Sequence, residues 1–133
     1  MLTLMFAPRR RVHLARFSGT VAWADFEALD KAVIEFVAHT GPVDAILDFS
    51  GAQAMAMPET RIMNRGRTPQ LMPGRRRILV APTFEQQGLS RLFVSEQTQL
   101  GATPPEVVSA IDDAFAALGV TEEDFEPVEE PSR

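Results

Sequence analysis

The side chains with the greatest capacity for chemistry in this sequence are arginines. Six of them lie between Arg61 and Arg77, and no acidic residue interrupts this stretch. A guanidinium binds carboxylates and phosphates through paired hydrogen bonds, so the stretch predicts a site for an anion or an acidic partner. Two other interpretations stay open. The arginines can form a solvated loop, or they can pair with the six acids between Glu122 and Glu130.

Four methionines occur in and just before the arginine-rich stretch: Met55, Met57, Met63 and Met72. Flexible thioethers usually fill irregular gaps in a core. Beside glycines and prolines they can instead line an adaptable apolar pocket. Combined with the arginines, such a pocket would suit a small apolar ligand that carries an anionic group.

Candidates for catalysis are few. The chain has no cysteine, and its two histidines, His13 and His39, are predicted on the outward face of an edge strand and at a helix end. No histidine pair has metal-ligand spacing, and no nucleophile elbow or phosphate loop is present. Asp48 ends a predicted strand, where an aspartate more often caps the following turn than binds a ligand. We therefore expect no enzymatic activity, no metal and no cofactor; a general base at Asp48 is the alternative.

The composition is typical of one soluble domain. The chain has 133 residues, of which 45% are hydrophobic, and its net charge of −5 argues against a nucleic-acid partner. No segment reaches the roughly 18–20 apolar residues of a membrane span, and the lack of cysteine fits a reducing compartment, so we expect a cytoplasmic protein. We predict one domain over residues 1–120 and an acidic, flexible tail over residues 121–133. Apolar residues at a sheet edge, Leu2 and Leu4, make a homodimer possible.

Hydrophobic periodicity predicts strands that alternate with helices. The predicted elements are strands over 2–6 and 12–17, a helix over 23–39, a strand over 43–49, a helix over 59–65, a strand over 77–80, a helix over 83–99, a strand over 106–109 and a helix over 112–118. The order β-β-α-β-α-β-α-β-α indicates an α/β fold with a small mixed sheet of about five strands. Its centre is expected to be parallel and its N-terminal edge antiparallel.

Several residues have predicted structural roles within these elements. Gly19 and the pair Ser50-Gly51 are expected to end their strands. Gly88 is expected to permit close approach to a neighbouring element. The helix over 23–39 should pack on the sheet through a stripe of apolar residues: Phe26, Leu29, Val33, Phe36 and Val37. In the helix over 83–99 the expected inward residues are Leu89, Leu92 and Phe93.

Three segments resemble the STAS-like domains, the fold of bacterial anti-sigma-factor antagonists and of the cytoplasmic portion of sulphate transporters. They are Phe17-Ser18-Gly19-Thr20 at a strand end, Ala45-Ile46-Leu47-Asp48-Phe49-Ser50 with its Asp-x-Ser ending, and the stretch from Ile78 to Phe93. The last of these, with Val80-Ala81-Pro82, Gly88-Leu89 and Arg91-Leu92-Phe93, is similar to uncharacterised small bacterial STAS-like proteins. The resemblance spans roughly residues 14–120.

The resemblance implies a non-catalytic regulatory module that binds a protein partner through the loop and helix of residues 50–67. In the antagonists a phosphorylatable serine follows the Asp-x-Ser strand, and that place falls near Met57 and Pro58 here, which cannot accept a phosphate. STAS-like folds also have relatives that bind lipids, so the alternative is a sensor or carrier for a small anionic apolar ligand. The candidate residues for either partner are Asp48, Ser50, Met57, Thr60, Arg61, Arg65 and Arg67.

Overall fold

The computed structural model describes residues 1–128. Its elements are β1 (Leu2–Ala7), β2 (Val12–Ala22), α1 (Trp23–Thr40), β3 (Asp44–Ala56), α2 (Glu59–Gly66), β4 (Arg77–Val80), α3 (Phe84–Leu100), β5 (Glu106–Val108), α4 (Ile111–Leu118), a 3-10 turn (Glu122–Asp124) and β6 (Glu126–Pro127). The six strands form one sheet in the order β5-β4-β3-β2-β1-β6. β2 to β5 are parallel, whereas β1 pairs antiparallel with both β2 and β6. The predicted α/β class, with a parallel centre and an antiparallel N-terminal edge, is confirmed.

Both faces of the sheet are covered, because successive residues of a strand point to opposite faces. On one face Leu14, Ile46 and Ile78 pack with Phe115 of α4. On the other face Phe17 and Phe49 pack with residues of α1. The sheet is therefore the middle layer of three, and α4 lies alone on its side. Burial on both sides explains why β2, β3 and β4 carry apolar runs.

Local signals set several helix ends as predicted. Thr83 accepts a hydrogen bond from the Gln86 amide at its Oγ1, and its own amide donates to Gln86 Oε1. This reciprocal pair satisfies two amides that the first turn of α3 leaves free. Gly101 and Gly119 end α3 and α4 in the left-handed conformation, which glycine adopts without steric cost.

The predicted ends of β2 and β3 at Gly19 and Ser50-Gly51 are wrong. Both strands continue, to Ala22 and Ala56, with register shifts between Arg16 and Ser18 and between Gly19 and Thr20. Both shifts place an extra residue in β3, and pairing resumes beyond it, so the strands continue past the glycines. As a result β2 and β3 extend together well past the end of β4.

The segment that follows α4 belongs to the fold over its first eight residues, where the sequence predicted a flexible tail. Phe125 is buried and stacks on Phe115, with ring centroids 5.4 Å apart. The backbone then pairs with β1, where Phe6 lies opposite Glu126 and the amide of Val128 donates to the Leu4 carbonyl. The rest of the predicted tail, residues 129–133, lies outside the described residues.

The close approach that the sequence assigned to Gly88 occurs at Gly66 instead. A Cβ atom on Gly66 would lie 2.6 Å from Glu96 Cβ and 3.1 Å from the Phe93 carbonyl oxygen, whereas a Cβ on Gly88 would meet nothing within 4 Å. The end of α2 therefore lies directly against α3. The reason for the error is that α3 turns Gly88 away from its neighbours, which periodicity alone did not reveal.

The two glycines give a matched pair of substitutions. Gly66→Ala is expected to lower the free energy of unfolding by about 1–3 kcal/mol, because the new methyl group overpacks the contact between α2 and α3. Gly88→Ala adds the same group in open space within a helix and should raise that free energy by about 0.5–1 kcal/mol. Urea unfolding followed by circular dichroism measures both. Stabilisation by Gly66→Ala would contradict the close packing of these helices.

Candidate functional site

A cavity of about 550 Å³ lies between the sheet and α1, α2 and α3. We call it the helix-side cavity. Its floor consists of residues from β2, β3 and β4, and its walls come from the three helices and from residues 68–72. The lining is mainly apolar, and its side chains include Trp23, Phe26, Leu29, Val33, Ile34, Phe36, Val43, Leu47, Phe49, Met55, Ile62, Leu71, Met72, Leu79, Leu89 and Phe93.

The floor of the cavity reaches the middle of the sheet. His13, Ala45 and Arg77 lie side by side on three neighbouring strands and face the cavity. Ala45 and Leu47 belong to β3, which has strands on both sides, yet both side chains are only half-buried. Residues at the centre of a sandwiched sheet normally bury both faces. Their exposure shows that the helical layer does not close onto the sheet here.

The opening results from the way α1 packs. Of the apolar stripe predicted on this helix, only Phe26 and Leu29 are buried, while Val33 and Phe36 are half-buried and line the cavity. The C-terminal half of α1 packs over β1 and β2, where the Phe36 ring contacts Phe6 and His13, and it leaves Ala45 and Leu47 of β3 uncovered. The sequence predicted the correct stripe but not that much of it would face a cavity.

Two exposed apolar side chains mark the entrance to the cavity. Ile34 on α1 is 56% exposed and Leu71, in the segment after α2, is 55% exposed, and both line the cavity. Exposed aliphatic side chains at a cavity opening are typical of a site that admits an apolar molecule. The segment with Leu71 is held at its base by the amide of Val43, which donates to Met72 Sδ over 3.3 Å.

Two arginines from α2 line the rim of the cavity. Arg65 makes two hydrogen bonds of 2.7 Å to the carboxylate of Asp30 on α1, and its guanidinium lies 5.0 Å from the Phe26 ring centroid. The Arg61 guanidinium lies 5.2 Å from the centre of the Trp23 ring. These contacts connect α2 to α1 across the cavity. Both arginines are among the candidates that the sequence predicted, and the structure places them at this site.

We expect the Arg65–Asp30 pair to hold α1 against α2. Asp30→Asn is expected to lower the free energy of unfolding by about 0.5–1 kcal/mol, since the pair is only partly exposed and bidentate. Amides in the C-terminal half of α1 should also exchange faster with solvent, which hydrogen exchange measures. Glu35→Gln is the matched control on the same helix, because Glu35 makes no salt bridge within residues 1–128. Equal exchange in both variants would contradict this role of the pair.

A third arginine, Arg77, lies inside the cavity on the first residue of β4. Its Nη2 donates to Gln97 Oε1 at 2.9 Å and to the Thr103 carbonyl at 2.7 Å. Burial lowers the pKa of Arg77, and repulsion from Arg65 lowers it further. No carboxylate within residues 1–128 forms a salt bridge with it. Three arginines and one aspartate line the cavity, so its lining carries an excess of two positive charges.

His13 is a second polar residue in the lining of the cavity, and its predicted position is wrong. The prediction put it on the outward face of an edge strand, but β2 lies between β1 and β3 and His13 is only 3% exposed. Its ring packs on Phe36 with centroids 5.0 Å apart, and its Nε2 is buried with no hydrogen-bond partner in the described chain. Burial lowers the pKa of His13 to about 4, so the ring is neutral near pH 7. The alternation of side chains along β2 could have predicted this burial, because His13 shares a face of the sheet with Ala15 and Phe17.

Buried amides and a hydroxyl on α3 complete the polar lining. Gln97 is 1% exposed and donates to the carbonyls of Gly66 and Thr68, while accepting from Arg77. Gln86 donates to the Phe49 carbonyl. The buried residues of α3 are Gln86, Ser90, Glu96 and Gln97, whereas Leu89, Leu92 and Phe93 are only half-buried. The predicted apolar stripe is therefore not the buried face, because polar residues anchor this helix to the exposed backbone of β3 and of the segment after α2.

Asp48 and Ser50 lie away from the helix-side cavity. Asp48 shares the α4 side of the sheet with Ile46 and Val80. Its Oδ1 accepts hydrogen bonds from the amide and the hydroxyl of Ser50, at 2.9 and 2.6 Å, and its Oδ2 pairs with Arg16. The carboxylate thus binds Ser50 within β3, next to a register shift. The sequence favoured capping of a following turn, but the strand continues through this point.

The other three predicted site residues lie around α2. Met57 is half-buried against the aromatic cluster beneath α1, and Thr60 is exposed on the first turn of α2. Arg67 forms two hydrogen bonds with Glu96 of α3, at 2.9 and 3.3 Å. Of the predicted candidates, the structure therefore brings Arg61 and Arg65 to the cavity and leaves Asp48, Ser50, Met57, Thr60 and Arg67 outside its lining.

The acidic segment does not meet the arginine-rich stretch within residues 1–128. Glu122 binds Arg16 through two hydrogen bonds, at 2.6 and 2.8 Å, and these hold the pKa of Glu122 below its usual value. Four of its six arginines instead pair with acids from other elements: Arg65 with Asp30, Arg67 with Glu96, Arg75 with Asp44 and Arg76 with Glu106. Glu129 and Glu130 lie outside the described residues.

Residues 1–128 contain no group of three or more histidine, aspartate or glutamate side chains placed to hold a metal ion. None of the helices in this part of the chain has both the length and the apolar character needed to cross a membrane. In comparisons with known proteins, no family model and no curated protein matches the chain.

Proposed function

We propose that this protein binds a small apolar molecule with an anionic group in the helix-side cavity. The cavity itself is the observation that carries the proposal. Its volume of about 550 Å³ lies within the roughly 300–1,000 Å³ that small-molecule sites occupy. Its lining combines many apolar side chains with a few polar groups, which is the usual composition of such sites.

The energetics favour a ligand with an apolar chain. Each buried methylene group contributes about 0.8 kcal/mol, so a chain of about ten carbons can offset the cost of association. The aromatic side chains Trp23, Phe26 and Phe49 surround one end of the cavity and offer a surface for such a chain. The polar lining consists of guanidinium, amide, hydroxyl and imidazole groups and one carboxylate already paired with Arg65.

A carrier or sensor role agrees with this lining better than a catalytic role. Covalent catalysis needs a nucleophile in hydrogen-bond reach of a base. The hydroxyl of Ser90 donates to the Gln86 carbonyl, and Nε2 of His13 makes no hydrogen bond to a hydroxyl or carboxylate in the described chain. Asp48, the residue of the enzymatic alternative, is held by Ser50 and Arg16 outside the cavity. We therefore propose binding without turnover.

Titration of the wild-type protein with decanol, a neutral chain of suitable length, tests the proposal. We expect saturable heat of binding in calorimetry and one decanol per chain in native mass spectrometry. The same spectrometry on freshly purified protein should reveal any molecule carried over from the source cell. Absence of saturable binding, or binding of many molecules with no preferred stoichiometry, would contradict the proposal.

As a second candidate, we propose the protein-binding module that the resemblance to STAS-like domains implies, acting through residues 50–67. The observation that favours it is the length of β3, whose residues 49–56 have no strand on the side where β4 ends. An unpaired strand edge can accept a strand from a partner. Two side chains of α3 already cover part of this edge. The Gln86 side-chain amide donates to the Phe49 carbonyl, and the Glu85 carboxylate accepts from the Met55 backbone amide.

A pull-down from the source cell tests the second candidate. Arg61→Glu combined with Arg65→Glu reverses the charge of the exposed α2 surface, so a partner bound through residues 50–67 should be lost. Arg9→Glu combined with Arg10→Glu is the matched control in the turn between β1 and β2. Recovery of the same partners with both double variants would show that residues 50–67 do not form the binding surface. The predicted sheet edge at β1 is wrong, because β6 pairs with Met5 and Phe6 there. A homodimer stays a prediction, which sedimentation of the full chain tests.

A further inference from the structure

The polar groups inside the cavity specify the ligand more closely, on the premise that the proposed function is correct. We infer that the ligand is a monocarboxylate with an apolar chain, and that its carboxylate lies over Ala45, between the Arg77 guanidinium and the His13 imidazole. Its chain extends along the floor towards Phe49 and Phe26. This places the head group inside the cavity and not among the arginines of the rim.

The first support is the uncompensated charge of Arg77. A half-buried guanidinium normally has a carboxylate partner, since burying an isolated charge is costly. Within residues 1–128, Arg77 has the neutral oxygens of Gln97 and Thr103, both at Nη2, and the Phe93 ring at 6.0 Å, while Nε and Nη1 make no hydrogen bond. A ligand carboxylate would supply the missing charge and accept from these two nitrogens.

The second support is the orphaned nitrogen of His13. The side chain lines the cavity and is 97% buried, and its Nε2 has no hydrogen-bond partner in the described chain. Leaving a buried donor unsatisfied costs about 1–3 kcal/mol, and most buried polar atoms in proteins are paired. A neutral imidazole donates from one ring nitrogen, so Nε2 can donate to an anionic oxygen.

The geometry of the floor brings these two groups to one place. His13 is paired in register with Ala45, and Ala45 is paired in register with Arg77. Neighbouring strands lie about 4.8 Å apart, so the backbones of His13 and Arg77 are separated by about 10 Å. The methyl group of Ala45 is the smallest side chain that could lie between them, and it leaves room for a carboxylate above the sheet.

The rim arginines are less suited to hold the head group. Arg65 already donates twice to Asp30, and Arg61 is exposed and stacks on Trp23. Apart from Arg61 on the exposed rim, Arg77 is the one lining arginine without a carboxylate partner within residues 1–128. One such charge matches a carboxylate better than a phosphate monoester with nearly two charges. Gln97 holds Arg77 in place from α3, because its own amide is anchored on the Gly66 and Thr68 carbonyls.

Head-group comparison in the wild-type protein tests the inference without any substitution. Decanoate, decanol, decyl phosphate and decyltrimethylammonium share one chain and differ in the head group. We expect decanoate to bind about tenfold to a hundredfold more tightly than decanol, and the ammonium compound to bind most weakly. Equal affinity for decanoate and decanol would overturn the inference and leave the proposed function intact, whereas binding of neither would overturn both. Tighter binding of decyl phosphate would overturn the assignment to a carboxylate.

Substitutions then locate the head group. Arg77→Gln is expected to remove the preference for decanoate, leaving decanol affinity within about twofold, and Arg77→Lys should restore part of the preference. Arg76→Gln is the matched control, because the neighbouring Arg76 pairs with Glu106 and does not line the cavity. Loss of the preference in Arg76→Gln, or its persistence in Arg77→Gln, would overturn the placement.

Discussion

The Ala45→Phe substitution is expected to abolish binding of decanol and decanoate, with a loss of affinity of at least about a hundredfold. Ala45 lies at the centre of the cavity floor, on a strand with neighbours on both sides, and its side chain is only half-buried. A phenyl ring there would fill the space that we assign to the head group and the start of the chain. Calorimetric titration measures the loss.

The matched control is Ala38→Phe, which adds the same ring to an exposed position of α1 outside the cavity lining. We expect unchanged affinity in this variant. We also expect Ala45→Phe to keep a cooperative unfolding transition, since the new ring enters existing space. Normal binding by a folded Ala45→Phe protein would show that ligands bind elsewhere.

The second large effect concerns pH. The pKa of His13 is about 4 in the folded protein because the ring is buried, whereas an exposed histidine titrates near 6.5. Between these values the unfolded chain binds a proton that the folded chain excludes. Stability from this group is therefore complete above about pH 6.5 and is lost as the pH falls towards 4. The loss between about pH 7 and pH 5 should be about 2 kcal/mol.

His13→Leu removes the titrating group and should remove this part of the pH dependence. Urea unfolding of the wild-type and variant proteins near pH 7 and pH 5 measures the difference in free energy of unfolding. Acidic side chains contribute equally to both proteins and cancel in the comparison. His39→Asn, at the exposed end of α1, is the matched control for replacing a histidine. If His13→Leu lost as much stability as the wild-type protein on acidification, His13 would not be buried as described.

Local patterns predict most of the secondary structure of this chain. The capping residues Thr83 and Gln86, the apolar run of β4 and the glycine after α4 act within a few residues, so they are readable from the sequence. Local patterns do not show whether a strand ends or continues at Gly19 and Gly51. A strand can continue past a glycine, with a bulge nearby, when a neighbouring strand supplies hydrogen bonds beyond it. The burial of Phe125 cannot be read from local sequence either, because it depends on contact with Phe115 of α4.

The candidate site was only partly predictable. Arginines and methionines in one part of the chain indicated an apolar site with cationic groups, and Arg61 and Arg65 are found at the rim. His13 and Arg77 are more informative but lie on strands distant in sequence. Their proximity follows from the parallel register of β2, β3 and β4, which no local pattern shows. The cavity itself exists because the helices leave Ala45 and Leu47 of β3 uncovered. Hydrophobic periodicity cannot distinguish a side chain facing a cavity from one facing a packed core.

Fluorescence of Trp23 during a decanoate titration tests the central claim most directly. Trp23 is the only tryptophan of the chain, and its ring lines the helix-side cavity. An apolar chain bound against the aromatic end of the cavity should shift its emission to shorter wavelength, with saturation at one decanoate per protein, and the shift should be absent in Ala45→Phe. Emission that stays unchanged up to saturating decanoate, or that shifts equally in Ala45→Phe, would contradict binding in this cavity.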